Sequence, residues 1–357
     1  MLELKNAGGE VYAICSHKSK VESFLIENRI RYTHLPSYSA VSLASVRFIK
    51  SLIRQRDIQV LHAHFHKDIW PASLAIWGEK EKKLFLSIYM GVPRKNDILH
   101  RFIYHRVNAI FTSSKELGDR LPSLYPVPRS KIHFLPYGRR IENYRRDETR
   151  RIEVRSKYKV RPEEILVGTM VRIDPGKGVM DFARSFPYID GSLREKTKFM
   201  IVGEPTRRGR GMPGESPYEP VCEEYLRGLE KFISNEGLSE KILLTGFQDD
   251  LVAYLSAFDV FVFPSRDELY SLVVLDAMCM GLPVVAARSG GNIRQITDGV
   301  SGLLYEVANS KDLATKLELY LRQPSLRVQH ADKARQFVQD AHSMDDAVRS
   351  LLGFYQD

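Results

Sequence analysis

Short β-branched or aromatic runs alternate along this chain with longer amphipathic segments, and that rhythm limits the fold more than any other feature. Its period is that of βα units feeding a parallel sheet. In the first half the runs are EVYAIC (10–15), RYTHLP (31–36), IQVLHAH (58–64), KLFLSIY (83–89), NAIFTSS (108–114) and KIHFLPYG (131–138). In the second they are ILVGTMVRI (165–173), KFMIVG (198–203), KILLTG (241–246), DVFVFPS (259–265), PVVAA (283–287) and GLLYE (302–306). Two doubly wound α/β halves follow, joined across a charged segment near residues 140–162. The stretch 205–220, rich in Pro, Gly and charge, reads as a mobile surface loop.

With 357 residues, 43% hydrophobic and 27% charged, the chain is long enough for two cores. Neither a membrane-length apolar window nor a basic-then-apolar leader stands out, so a soluble cytoplasmic protein is the expectation. Cys15, Cys222 and Cys279 are far apart and outside any ligand spacing, and they read as buried thiols. The net charge of +9 gathers in 139–161. That run fits a solvated inter-domain segment, a contact for anionic lipid or anionic substrate, or nucleic acid. The last lacks a recognisable module or stacking aromatics, and no nucleic-acid partner is expected.

Ligands of open α/β sheets sit beyond the carboxyl ends of the strands, which directs attention to RDELYSLVVLDAMCMGLPVV (266–285). Glu268 falls in the loop after a strand, and Asp276 in the second turn of a helix from about Ser271 to Met280 that is apolar all round. A buried carboxylate needs a partner. Either an arginine from the core or a pair of ligand hydroxyls would serve Asp276. Glu268 could hold a second set of hydroxyls, with the helix N-terminus between them as an anion site. Hydroxyls, anion and hydroxyls in that order describe a nucleotide sugar. Asp249 or Asp250 reads as the N-cap of the helix that follows, not as part of a metal-binding D-x-D. His62, His64 and His66 alternate along one strand face, but no carboxylate or cysteine completes a site, so no metal is expected.

The 266–285 stretch resembles the E-x7-E segment of retaining GT-B glycosyltransferases of family 4. VRIDPGKG (171–178), IVGEP (201–205), LTGFQDDLVAYLSAFDVFVFPS and SGGNIRQITDGVSGLL (289–304) are similar to that family's other signatures. The resemblance implies two Rossmann-like domains facing across a cleft. The first, acceptor-side domain would span 1–160 and the nucleotide-sugar domain 161–340, with a C-terminal helix at 341–357 returning towards the first. It implies transfer of a hexosyl-type group from a UDP- or GDP-sugar to an acceptor hydroxyl, with retained configuration and no metal or other cofactor. A lipid-linked or saccharide acceptor fits this, in lipopolysaccharide, exopolysaccharide or other glycoconjugate synthesis, with peripheral contact at the anionic inner face of the cell membrane. Matching positions give Arg172, Lys177 and Glu268 the catalytic roles. Gly203, Gly246, Glu268, Ser271, Leu272 and Asp276 would bind the donor, and Tyr89 and His64 would lie on the acceptor side.

Several positions depart from the family pattern. Asp276 stands for the second Glu, Ser271 for a Gly, Arg294 for an acid and Tyr89 for a His near the reacting centre. Tyrosine does not share imidazole's protonation near neutral pH, which keeps open a catalytically impaired binding subunit as the alternative. The start MLELKNAGGEVYAIC resembles the end of a first helix and a second strand, so a missing first βα unit is expected, with Gly8 and Gly9 in a helix-to-strand turn. A nicotinamide dehydrogenase would need a G-x-G-x-x-G after a first strand, and none is present.

Overall fold

The structure, a computed structural model, describes residues 1–39, 42–91, 94–208 and 216–356. These fall into two compact units, one built from Met1–Gly138 and the last helix, the other from Arg139–Ser343. Each of the twelve runs above contains a strand, most of them shorter than the run, β8 starting one residue early: β1 Tyr12–Ile14, β2 Arg31–Thr33, β3 Val60–Ala63, β4 Lys83–Ser87, β5 Ala109–Thr112, β6 Ile132–Phe134, β7 Ile165–Met170, β8 Thr197–Val202, β9 Ile242–Leu244, β10 Val260–Phe263, β11 Val284–Ala287 and β12 Leu303–Tyr305.

In the first unit β1 and β2 pair in parallel as one sheet, and β3-β4-β5-β6 form a separate parallel sheet. The helix Leu2–Asn6 runs into β1 through a turn in which the Gly9 amide donates to Leu4 O at 2.9 Å, as expected of Gly8 and Gly9. The four-stranded sheet buries Phe85, Ala109 and Phe111. Over them lies the last helix, Met344–Gln356, whose Phe354 meets Phe111 edge-on at 5.0 Å and whose Tyr355 packs on Phe85 at 5.1 Å.

The second unit has one six-stranded parallel sheet in the order β12-β11-β10-β7-β8-β9. Strands β10 (VFVF) and β11 (VVAA) are buried throughout, as parallel strands covered on both faces require. The chain steps from β7 to β8 and β9 on one flank, then returns to lay β10 on the other. Strand order therefore reverses between β7 and β10, where such sheets hold ligands.

The basic segment after residue 139 packs with this second unit, so the compact division falls at Gly138 and Arg139 instead of near 160. Three arginines around the helix Glu148–Lys157 converge on one carboxylate. Arg146, Arg151 and Arg155 reach the Asp259 oxygens at 3.3, 2.8 and 3.1 Å, while Arg151 and Arg155 also donate to Ala257 O at 2.7 and 3.2 Å. Cations thus meet the open carbonyls ending the helix Leu251–Ala257, an arrangement that the helix dipole favours. Much of the run's charge is satisfied inside the unit. At the other end of that helix Asp250 is the N-cap, accepting from the Ala253 amide at 3.0 Å. Of the 205–220 loop, 209–215 lie outside the described residues. Its ends are tied by Arg208 N donating to Pro217 O at 2.9 Å and Glu219 N to Thr206 O at 2.8 Å.

Candidate functional site

Three strand-end loops interlock at the switch point. After β7, Asp174 accepts from the Gly176 amide at 2.8 Å and shapes a turn ending at Gly178, where φ is +64°. A Cβ at Gly178 would sit 2.0 Å from Pro264 O, so only glycine lets this loop lie against the one after β10. The Arg266 amide returns the contact by donating to Gly176 O at 3.0 Å, and its guanidinium forks onto buried Asp181 at 2.9 and 2.8 Å. After β11, the Gly291 amide donates to Glu268 O at 2.7 Å, and a Cβ at Gly290 would fall 2.1 Å from the same oxygen. The Glu268 backbone is thereby held from both sides, and its carboxylate meets Lys177 Nζ at 2.7 Å with both side chains about one-fifth exposed. Arg172, at the end of β7, is exposed, and its guanidinium has no partner among the described residues.

The helix Leu272–Cys279 starts at this edge. Ser271 caps it, its Oγ accepting from the Val274 amide, and Leu272 remains 42% exposed in the first turn. Ser271, one of the expected donor-binding residues, has its amide donating to Gln295 Oε1 at 3.1 Å, and Gln295 Nε2 donates back to Ser271 O at 2.8 Å. Asp276 has the arginine considered above as one of its two alternatives. Arg139 Nε donates to its Oδ1 at 2.6 Å, joined by the Tyr144 hydroxyl at 2.7 Å. Burial, then the neighbouring carboxylate, raises the Tyr144 phenol above its ordinary range, and burial pushes the Cys279 thiol up to about 12. Gly203 and Gly246 pair backbone to backbone, the Gly203 amide donating to Gly246 O at 2.9 Å. A Cβ at Gly203 would meet Val171 O at 1.9 Å, whereas nothing lies within 4 Å of one at Gly246. Sequence spacing did not reveal Arg139, Tyr144, Gln295 or the Asp181–Arg266 fork. Their partners lie far away along the chain, and only the glycine pair at 290–291 left a local trace.

In the first unit Tyr89 joins a hydrogen-bonded series. Its hydroxyl donates to Ser87 Oγ at 3.0 Å, and Ser87 Oγ lies 2.8 Å from His62 Nε2, whose Nδ1 meets Tyr355 OH at 2.5 Å. Enclosure of the His62 ring, then the adjacent His64, pushes its pKa down to about 3. The His64 ring stacks on it at 4.6 Å, so alternate histidines do share a face. Elsewhere in this unit, His17, Glu22 and His34 bring potential metal-ligand atoms together, but Glu22 already accepts from His34 Nε2 at 2.9 Å and from the Lys18 amide. Among the described residues no helix is long and apolar enough to cross a membrane.

Two parallel-sheet α/β units, with a charged pair at the switch point of the second, define the class, and sequence comparison supplies the family. The family described as Glycosyl transferases group 1 matches residues 150–337, and Glycosyltransferase Family 4 matches 1–142. The chain belongs to the group 1 glycosyl transferases and takes the GT-B fold. It is 28% identical over 266 residues to the alpha-D-kanosaminyltransferase of Streptomyces kanamyceticus, covering 72% of this chain and 62% of that one. It is 32% identical over 190 residues to the lipopolysaccharide core biosynthesis glycosyltransferase LpsE of Rhizobium meliloti, covering 52% and 54%. The matches thus span between about half and three fifths of these relatives' length. The crystal structure of Anabaena HepE with UDP and glucose superposes with a TM-score of 0.77 at 16% identity, over 97% of this chain and 91% of that one.

Proposed function

We propose that this chain transfers a glycosyl group from a UDP- or GDP-sugar to an acceptor hydroxyl with retained configuration and without a metal. The supporting observation is the Lys177–Glu268 pair at the switch point of the second unit's sheet, with Arg172 exposed in the loop that follows β7. In this reading Lys177 and Arg172 take the diphosphate, a preorganised cationic site that stabilises the leaving group as charge develops. Glu268 turns to the sugar hydroxyls, and Asp276, already fixed by Arg139 and Tyr144, keeps its remaining acceptor capacity for the ribose. The close Gly203–Gly246 approach would leave room for the base. The fold likeness to HepE, solved with UDP and glucose, and the similarity to LpsE favour a nucleotide donor and a glycoconjugate acceptor. We infer a lipid-linked or saccharide acceptor, used in lipopolysaccharide, exopolysaccharide or related synthesis at the cytoplasmic face of a membrane.

Thermal shifts with UDP, GDP and NAD test the donor class, and transfer from the stabilising donor tests turnover. Stabilisation by UDP or GDP that Arg172→Ala removes, together with transfer, supports the reading; stabilisation by NAD alone overturns it. Tyr89, tied to Ser87 where the family has an imidazole, favours a second reading as a donor-binding subunit without turnover. Nucleotide binding with no transfer to any saccharide acceptor would select it.

A further inference from the structure

We propose that the first unit docks on an anionic lipid bilayer through the outer face of the helix Ile98–Tyr104. One side of this helix is committed to the core: Ile103 and Tyr104 are buried, Ser73 Oγ donates to Ile103 O at 2.9 Å, and the His100 ring meets Trp70 edge-on at 5.1 Å. The other side is apolar and open. Ile98 is 84% exposed, Leu99 65% and Phe102 47%, and Trp77 stacks on Phe102 at 4.1 Å while staying 43% exposed itself. A contiguous apolar patch left in water marks an interaction surface.

Charge beside the patch identifies the occupant. Arg94, Lys95 and Arg101 flank it. The Arg94 and Lys95 side chains form no ion pair among the described residues, and Arg101 reaches only Asn96 Oδ1 at 3.3 Å. Asp97, the acid at the helix start, caps the helix through the His100 amide at 3.0 Å and pairs with the His100 ring, and Glu79, two residues past Trp77, pairs with Arg54 at 3.7 Å. On the side of β3, Lys67 and Lys95 stand close enough to His66 to help burial lower its pKa. Protruding aliphatic side chains at a helix start, ringed by uncommitted cations, match the boundary between anionic headgroups and acyl chains. The basic run after residue 139 offers no such surface, because three of its arginines are held on Asp259.

The docking surface rests on the proposed use of a lipid-linked acceptor for its purpose, but its test is separate. The full chain is expected to pellet with vesicles of phosphatidylglycerol and phosphatidylcholine and to stay in solution with phosphatidylcholine alone. Ile98→Ser with Leu99→Ser should lower the bound fraction at least about tenfold. Arg94→Gln and Lys95→Gln should each weaken binding about fivefold and flatten its salt dependence. Melting temperature and the UDP shift should match the parent in all three variants, since these side chains are outside the donor loops. Absence of pelleting with anionic vesicles overturns the proposal, as do variants that pellet like the parent or a dimer that the two serines dissociate. A chain that misses the vesicles but shifts with UDP keeps the donor reading; one that pellets without a nucleotide shift loses that reading alone.

Discussion

Lys177 Nζ lies 2.7 Å from Glu268 Oε2, joining the loops that follow two strands on either side of the sheet's reversal in order. If the pair separates when a donor binds, with Lys177 taking the diphosphate, its two members respond differently to substitution. Lys177→Met should weaken UDP binding by about ten- to a hundredfold, the worth of a charged hydrogen bond. Glu268→Gln should leave UDP binding at least as tight, because it releases Lys177, while transfer falls at least about tenfold. Calorimetry with UDP beside a transfer assay checks both, and equal loss of nucleotide affinity in the two variants refutes the exchange.

Asp276 and Arg139 form a pair whose side chains are 10% and 14% exposed. Removing one partner of such a pair leaves a buried charge without compensation. Arg139→Ala is expected to cost about 3 kcal/mol, and Asp276→Asn less, since the amide still accepts from Tyr144. Urea midpoints of the second unit's transition measure the order of the two.

Glycine positions give a graded series. Gly178→Ala and Gly203→Ala drive a Cβ to within 2.0 and 1.9 Å of a backbone oxygen, and each should destabilise by about 3 kcal/mol. Gly237→Ala, at φ +65° with open space around it, should cost only about 1 kcal/mol for its left-handed backbone. Equal losses at all three, read by thermal melting, would mean that the interlocked loops yield easily.

The enclosure of His62 predicts acid sensitivity with a definite sign. Its folded pKa of about 3 lies below the 6.5 of a free histidine, so unfolding takes up a proton between those values. Stability is full above about pH 6.5 and declines by about 1.4 kcal/mol per pH unit as the pH falls towards 3. His62→Gln should flatten this part of the profile in a series of urea titrations.

The strands were legible because each is a short run of β-branched and aromatic residues with its own turn signals, and in β5, β10, β11 and β12 burial on both sides left no alternation to misread. The Asp250 cap and the Gly8–Gly9 turn were legible for the same local reason. Asp276 shows where reading stops. Its helix announced a buried carboxylate in need of a partner, but Arg139 is 137 positions away and nothing in the spacing singles it out from its neighbours. The basic run misled in a related way: the count of arginines was plain, while their convergence on Asp259 depends on how the sheet brings distant segments together. Lys177 and Glu268 were both expected at strand ends, and their direct contact with each other was not.

The first unit's sheet receives Tyr355 on His62 across 293 positions, with the entire second unit between the two segments. During synthesis, then, Phe85 and Phe111 wait for their cover while some two hundred residues are added, roughly ten to forty seconds at ordinary elongation rates. The half made first is the half completed last, and a nascent chain stalled before its final helix would present that uncovered aromatic face to whatever chaperone stands at the ribosome exit.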